Sequence, residues 1–168
     1  KTIIPRGYRD LSEMFLSRTS EHGRRVAYRI LKDDNVADSF TYDDLRSAAF
    51  SAAAHLNAQG ISRGDYVALV SESRPEWGMT YFGILLCGAT AVPVDTELSS
   101  TEMNAIFQAS NPKAVIASQK CAEKMQDVAA SFSITPFEQL FENAHLEEVS
   151  ESFKPVKRKP EDVASVLF

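Results

Sequence analysis

The chain has 168 residues, 44% of them hydrophobic and 24% charged, with a net charge of −5 at pH 7. This is the composition of a globular protein with no low-complexity tract, and the acidic balance argues against a general nucleic-acid binder. No apolar run approaches the ~18–20 residues that span a bilayer. The opening "KTIIPRGYRD" lacks the apolar core of a secretory signal, and Lys1, with no initiator Met, reads as an internal or processed end.

Residues 1–40 read as a lead-in. "YRDLSEMFLSRTSEH" carries Leu11, Met14, Phe15 and Arg18 at helical spacing, with Asp10 or Ser12 at the helix start. In "RVAYRILKDD", Val26, Tyr28 and Ile30 alternate with their neighbours, and "DSFTY" follows a polar turn, so a short hairpin is predicted around "KDDNVAD".

Residues 41–132 read as the core. Thr41 stands three residues before Asp44, the spacing of a reciprocal helix cap. Leu45, Ala49, Ala52, Ala53 and Leu56 then share one face, thin enough for the helix to lie close to a neighbour, and Gly60 supplies a left-handed stop. "YVALVS" is a continuous apolar run, as suits a strand buried on both faces. The cycle repeats. Ser73 and Glu76 give a second cap signal, Pro75 falls in the first helical turn, and the helix "PEWGMTYFGILLC" ends at Gly88. "TAVPVD" is the next strand. Ser99 and Glu102 begin a helix whose Met103, Ile106, Phe107 and Ser110 mark one face, and "NP" ends it. "KAVIAS" is a further strand and "KCAEKMQDVAASF" an amphipathic helix. Successive strands lie about two dozen residues apart, too far for hairpins and right for helical crossovers. The predicted fold class is therefore α/β, a mostly parallel sheet with helices on both faces.

Residues 133–162 read as a connection, with a short helix in "ITPFEQLFENA" that has Pro136 at its start, then the polar "HLEEVSESFKPVKRKPED". Residues 163–168, "VASVLF", read as one more buried strand.

Ligands of open parallel sheets collect at the carboxyl ends of the strands. The polar residues predicted there are Ser71, Glu72 and Ser73, then Asp95 and Thr96, then Ser118. Glu72 or Asp95 as a metal or ribose contact is one reading. The plainer one makes Ser73 and Ser99 helix caps, with the carboxylates placed at positive helix starts, and capping alone accounts for their positions. Neither Gly-x-Gly-x-x-Gly nor Gly-x-x-x-x-Gly-Lys occurs, nor a Gly-x-Ser-x-Gly elbow. His22, His55 and His145 are scattered. Cys87 and Cys121 match no metal or redox spacing, and Cys87 reads as a buried free thiol. The helical spacing of Trp77, Tyr81 and Phe82 favours core packing over a ligand platform, and the basic cluster Lys154, Lys157, Arg158 and Lys159 reads as a solvated linker. No catalytic, cofactor-binding or metal-binding residue emerges.

Three stretches in register, "FTYDDL" at 40–45, "GISRGDYVALVSESRPEW" at 60–77 and "GILLCGATAVPVD" at 83–95, resemble the amino-terminal part of the adenylate-forming (AMP-binding) acyl-CoA synthetase superfamily, which also includes luciferase and peptide-synthetase adenylation domains. "SESRPEW" is most similar to the long-chain fatty-acid–CoA ligase branch. The resemblance implies that "VASVLF" leads into a Ser/Thr/Gly-rich loop, ending in a lysine, that holds the phosphates of ATP. It places that loop, the adenine and ribose contacts, the magnesium-binding carboxylate and a carboxy-terminal-domain lysine all beyond Phe168. The implied reaction is attack of a carboxylate on the α-phosphorus of ATP, giving acyl-AMP and pyrophosphate, then displacement of AMP by the thiol of CoA. ATP, Mg²⁺ and CoA are thus expected for the whole enzyme, and none bound to this chain, which is expected to be inactive alone. The same reading expects a cytoplasmic location, with attachment at the membrane periphery left open. It also expects self-association through uncovered strand edges, a dimer being the simplest form. Two alternatives stand: a free-standing flavodoxin-like or receiver-like binding module, or an aryl-CoA- or aminoacyl-adenylate-forming member of the same superfamily.

Overall fold

In the computed structural model, which describes residues 7–125, 132–141 and 153–168, helix α1 (Leu11–His22) starts at Asp10, whose carboxylate accepts the Glu13 amide at 2.8 Å. Ser12, the alternative start, is buried inside the helix. Strands β1 (Val26–Lys32) and β2 (Asn35–Thr41) form the expected antiparallel hairpin. Its turn residues Asp33 and Asp34 both have positive φ, 50° and 61°, which matches the right-handed twist of the flanking strands.

Helix α2 (Tyr42–Ala58) carries the predicted cap: Thr41 Oγ1 accepts the Asp44 amide, and the Asp44 carboxylate accepts the Thr41 amide at 2.7 Å. At its far end Gly60, with φ 81°, lets two amides fold back, Gly60 onto Asn57 and Ile61 onto Leu56. Then come β3 (Tyr66–Val70), α3 (Pro75–Leu86), β4 (Thr90–Val94), α4 (Ser100–Ser110), β5 (Ala114–Ala117), α5 (Gln119–Lys124), β6 (Ile134–Pro136) and α6 (Phe137–Phe141). The strands β4-β3-β5-β6 lie side by side in that order, and every pairing is parallel.

Alternation along the strands divides two cores. Val67, Leu69, Ala91 and Ile116 face α2, α3 and α6, while Ala68, Val70, Val92 and Val115 face Met103 and Phe107 of α4 and Cys121 of α5. Both faces of the sheet are thereby covered, which is why its strands read as unbroken apolar runs. The alanine face of α2 meets α3 at Gly83. A Cβ there would lie 2.7 Å from the Ala52 Cβ and 3.0 Å from the Ala49 carbonyl.

Three expectations need correction and one needs extension. Ser73 does not cap α3. Pro75 forces its predecessor out of the helical region, so Arg74 (φ −154°, ψ 156°) is the N-cap residue, and no side chain caps this helix. Pro136 stands at the start of the expected short helix, α6, but it also closes an unforeseen strand: residues 134–136 pair with Val115, Ile116 and Ala117 on the sheet edge, where a missing amide is tolerated. Arg158 is not solvated, being 6% exposed, although Lys154, Lys157 and Lys159 are exposed. Residues 163–168 are not a buried strand. They touch β4 through one parallel bridge, Ala91 to Ser165, while Val163, Leu167 and Phe168 stay 51%, 75% and 63% exposed, because only one side of the segment meets the sheet. The continuation of the α5 helix past Met125, and residues 142–152 with His145, lie outside the described residues.

Candidate functional site

The carboxyl edge of the sheet gathers the segments after β3, β4 and β5. Ser118 joins two of them. Its amide donates to the Val70 carbonyl at 3.1 Å, its hydroxyl donates to Glu72 Oε2 at 2.6 Å, and Ser118 Oγ itself accepts the Cys121 amide at 3.3 Å as the cap of α5. The Cys121 thiol also points at Glu72 Oε2, 3.7 Å away. Donation from Ser118 holds the Glu72 carboxyl below its ordinary value against the opposing cost of burial.

Arg74 lies beside this cluster. Its guanidinium donates two bonds to Glu76, at 3.0 and 2.8 Å, stands 3.8 Å from Glu72 and 3.7 Å from Glu138, and covers the Phe137 ring at 5.5 Å. The bond to Glu76 raises the arginine and lowers the carboxylate. Asp95 is spent locally: its carboxylate accepts the Glu97 amide at 2.9 Å, and Ser99 with Glu102 forms the predicted reciprocal cap. Thr96 presents its carbonyl to Lys124 Nζ at 2.7 Å. Ser71 donates to the Glu72 carbonyl at 2.8 Å.

The rim's arginine is surrounded by three carboxylates, so the field around that guanidinium disfavours an anion. Among the described residues no group of three or more His, Cys, Asp and Glu side chains could hold a metal ion. The bonds of the rim tie the ends of β3 and β5 together and hold the starts of α3 and α5.

The Glu72–Ser118 bond makes a testable pH signature. A lowered folded pKa contributes stability that is fully present above the unfolded carboxyl value of ~4.3 and is lost as pH falls through the folded value. Ser118→Ala removes the main cause of that shift together with a helix cap worth ~1 kcal/mol. In urea titrations the deficit of the variant should be largest near neutral pH and shrink towards pH 3, leaving the cap contribution. A deficit that does not change with pH would show that the carboxylate gains nothing from Ser118.

Beside the rim, Trp77 stacks on Tyr81 (5.3 Å, 8° between planes) and Tyr81 meets Phe82 edge-on at 5.5 Å. All three pack against the core, and Phe82 also stacks on Phe15 at 4.2 Å, as their helical spacing predicts. Their outer edges, with Tyr28 from the hairpin and Arg74, line an open cavity of about 590 Å³. Gly78 permits this approach, since a Cβ there would lie 2.8 Å from the Tyr28 hydroxyl.

Of the described histidines, His22 leans on Tyr42, and His55 pairs with Gln59 at 3.0 Å, its pKa pushed down by burial. Cys87 is the buried free thiol predicted. It donates to the Ala53 carbonyl at 3.1 Å, and burial pushes its pKa up to about 12, so it stays protonated and unreactive.

The family model for AMP-binding enzymes matches residues 16–168. The chain belongs to the AMP-binding enzyme family. This removes the flavodoxin-like or receiver-like alternative. The hybrid PKS-NRPS synthetase pvhA of Talaromyces variabilis is 31% identical over 150 residues, 88% of this chain and 3% of that protein. The long-chain-fatty-acid–CoA ligase FadD13 of Mycobacterium tuberculosis is 37% identical over 76 residues, 45% of this chain and 15% of that protein. In fold, the AMP-binding chain superposes on the fatty acyl-adenylate ligase from L. pneumophila with a TM-score of 0.79 at 22% identity, covering 94% of this chain and 27% of that one. The chain thus spans a small part of the length of its relatives, and those relatives differ in the kind of enzyme they are named as.

Within the AMP-binding framework, sequence reasoning missed one element of the carboxyl-edge architecture and one buried cation. Strand β6 is three residues long, too short for a periodic signal. Among the described residues Arg158 donates to backbone carbonyls, those of Leu85 and Ala89 far off in sequence and that of Val163 nearby, which leave no mark on side-chain patterning.

Proposed function

We propose that this chain is the amino-terminal, sheet-building part of an ATP-dependent, AMP-forming ligase that activates a fatty acid as its acyl-adenylate and passes it to CoA. The family match over residues 16–168, on a parallel sheet flanked by segment 163–166, is the observation that carries this reading. Residues 1–40 serve as the lead-in, 41–132 as the core and 133–162 as the connection, and 163–168 direct the chain towards the phosphate loop. ATP, Mg²⁺ and CoA belong to the whole enzyme, and no side chain of this part is assigned to catalysis, cofactor or metal. The acidic surround of Arg74 supports that division, because this guanidinium is already engaged by carboxylates. The fatty acid is favoured by "SESRPEW" and by the 37% identity to the fatty-acid ligase. The match to pvhA over 88% of the chain favours a second reading, in which the acid is an amino acid.

Among the described residues no helix is long and apolar enough to cross a membrane. The reading places the protein in the cytoplasm, with peripheral membrane contact as the alternative. Exposed Leu31, Val36, Leu167 and Phe168 support self-association of the isolated chain.

The test is acid-dependent ATP–pyrophosphate exchange by the full-length protein, run over fatty, aryl and amino acids, with the 168-residue chain in parallel. Fatty-acid-dependent exchange followed by CoA-dependent release of AMP is expected from the full-length protein only. Exchange driven by amino acids would select the second reading. Exchange by the 168-residue chain alone would overturn the division of labour.

A further inference from the structure

Helix α3 ends with a shortage of donors that a distant segment makes good. Its last turn has no basic residue. Gly88, at φ 79°, lets the Ala89 amide reach Ile84 at 3.2 Å and the Gly88 amide reach Leu85 at 2.9 Å. The Leu86 carbonyl then accepts the amide of Val156 at 2.8 Å, and the same valine packs so closely that a Cβ on Gly88 would lie 2.9 Å from its side chain. Two residues further on, Arg158 turns inward. Its Nη1 donates to the Ala89 carbonyl at 2.9 Å and to Leu85 at 3.3 Å, and its Nη2 donates to Val163 at 2.7 Å.

One planar guanidinium therefore joins the end of α3, the residue before β4 and the start of segment 163–166. A cation at a helix carboxyl end is favourably placed in the helix dipole, and the fixed fork of an arginine sets the relative position of the carbonyls it bridges. The bonds around Val163 agree with this. Thr90 Oγ1 donates to the same Val163 carbonyl at 2.8 Å, the Ala91 amide donates to Ala164 and the Val166 amide to Ala91, both at 3.0 Å, and the Tyr81 and Ser165 hydroxyls meet at 2.7 Å. Past the Val166 amide no such bond is made among the described residues, and Leu167 and Phe168 are exposed.

We propose that Arg158 is a positioning residue that locks the register of segment 163–166 against β4 by coupling it to the carboxyl end of α3. On the functional reading above, and only there, it thereby sets where the nucleotide-phosphate loop is held. Lysine keeps the charge but cannot span three carbonyls in one plane, so Arg158→Lys should behave like Arg158→Met.

The test uses the full-length protein with Arg158→Lys and Arg158→Met, and Lys157→Met as an exposed control. Amide hydrogen exchange at Ala91 and Val166 should accelerate about tenfold or more in both Arg158 variants, the equivalent of one lost charge-assisted hydrogen bond, while Val67–Val70 are unchanged. The KM for ATP should rise by a similar factor, with the KM for the carboxylate within about twofold. Unchanged exchange at Val166, acceleration spread equally through Val67–Val70, or full rescue by Arg158→Lys would each overturn the locking role. A rise in KM shared equally by both substrates would overturn its link to the nucleotide. If the wild-type protein catalyses no exchange of pyrophosphate with any acid, the functional reading fails, and hydrogen exchange still decides the role of Arg158.

Discussion

Replacing Gly83 with alanine should destabilise the chain by about 1–3 kcal/mol, and with leucine by more, although either residue is a better helix former than glycine by up to ~1 kcal/mol. The sign follows from what surrounds the glycine. An added Cβ would fall 2.7 Å from the Ala52 Cβ, 3.0 Å from the Ala49 carbonyl oxygen and 3.2 Å from the Ala53 amide nitrogen. Two of these three atoms are backbone and the third is a Cβ, so none can rotate away. The helices must separate, and that loosens a face on which Ala49, Ala52, Ala53 and Leu56 are fully buried. A comparison at Gly64 isolates the cause. It too is strained by substitution, with φ 86°, but nothing lies within 4 Å of its Cβ position, so Gly64→Ala should cost only the ~1 kcal/mol of a left-handed alanine. The double variant Gly83→Ala with Ala52→Gly should recover part of the loss, because one methyl then fills the space of the other. Urea midpoints at constant slope read all three. A rise in midpoint for Gly83→Ala would mean that α2 and α3 do not meet this closely.

That contact was half legible beforehand. The run of alanines marked α2 as a helix with a thin face, but only the structure shows which residue it receives. The same division runs through the molecule. Features written in side chains at short range came through. Thr41 with Asp44 and Ser99 with Glu102 cap their helices as spaced, and Gly60 and Gly88 stop theirs with φ 81° and 79°. The order of helices and parallel strands followed from strand spacing and apolar runs, which depend on burial of both sheet faces. Features decided by one residue acting on its neighbour were shifted: Pro75 moved the start of α3 onto Arg74, and a pattern of Ser73 with Glu76 became an ion pair of Arg74 with Glu76 at 2.8 Å. Features that depend on distant backbone were invisible. Arg158 sits in a run of lysines and prolines that any composition rule assigns to solvent, and its three acceptors are carbonyls from residues 85, 89 and 163. For the carboxyl-edge site the residues Ser71, Glu72, Asp95 and Ser118 were placed correctly by topology. Their partnership was not, since the bond from Ser118 to Glu72 crosses from the end of one strand to the end of its sheet neighbour. The apolar segment 163–168 shows a different limit. Apolar composition predicts that a run tends to be buried, and a single parallel bridge covers only one side of it.

The division of the molecule into two cores by its own sheet gives the second large effect. Phe107→Ala should cost about 3–5 kcal/mol, because the ring is wholly buried and meets Phe132 edge-on at 5.4 Å, so its loss removes both buried area and an aromatic pair. Ile106, one residue earlier on the same helix, is only partly buried, and its truncation should cost clearly less. The contrast tests the rotation of α4 about its axis, which the spacing of Met103, Phe107 and Ser110 sets. Independence of the cores is tested with milder changes, Phe107→Leu on one face and Ile61→Val on the other. Phe107 packs with Val92 and Val115 beneath α4, whereas Ile61 belongs to the cluster under α2 and α3. With a sheet between them and no shared partners, the two losses should add to within about 0.5 kcal/mol. Coupling well beyond that would mean that strain passes through β3 and β5, which supply side chains to both faces. The sheet would then act as a single packed body, and a change under α4 would be felt at the bridge between β4 and Ser165 on its edge.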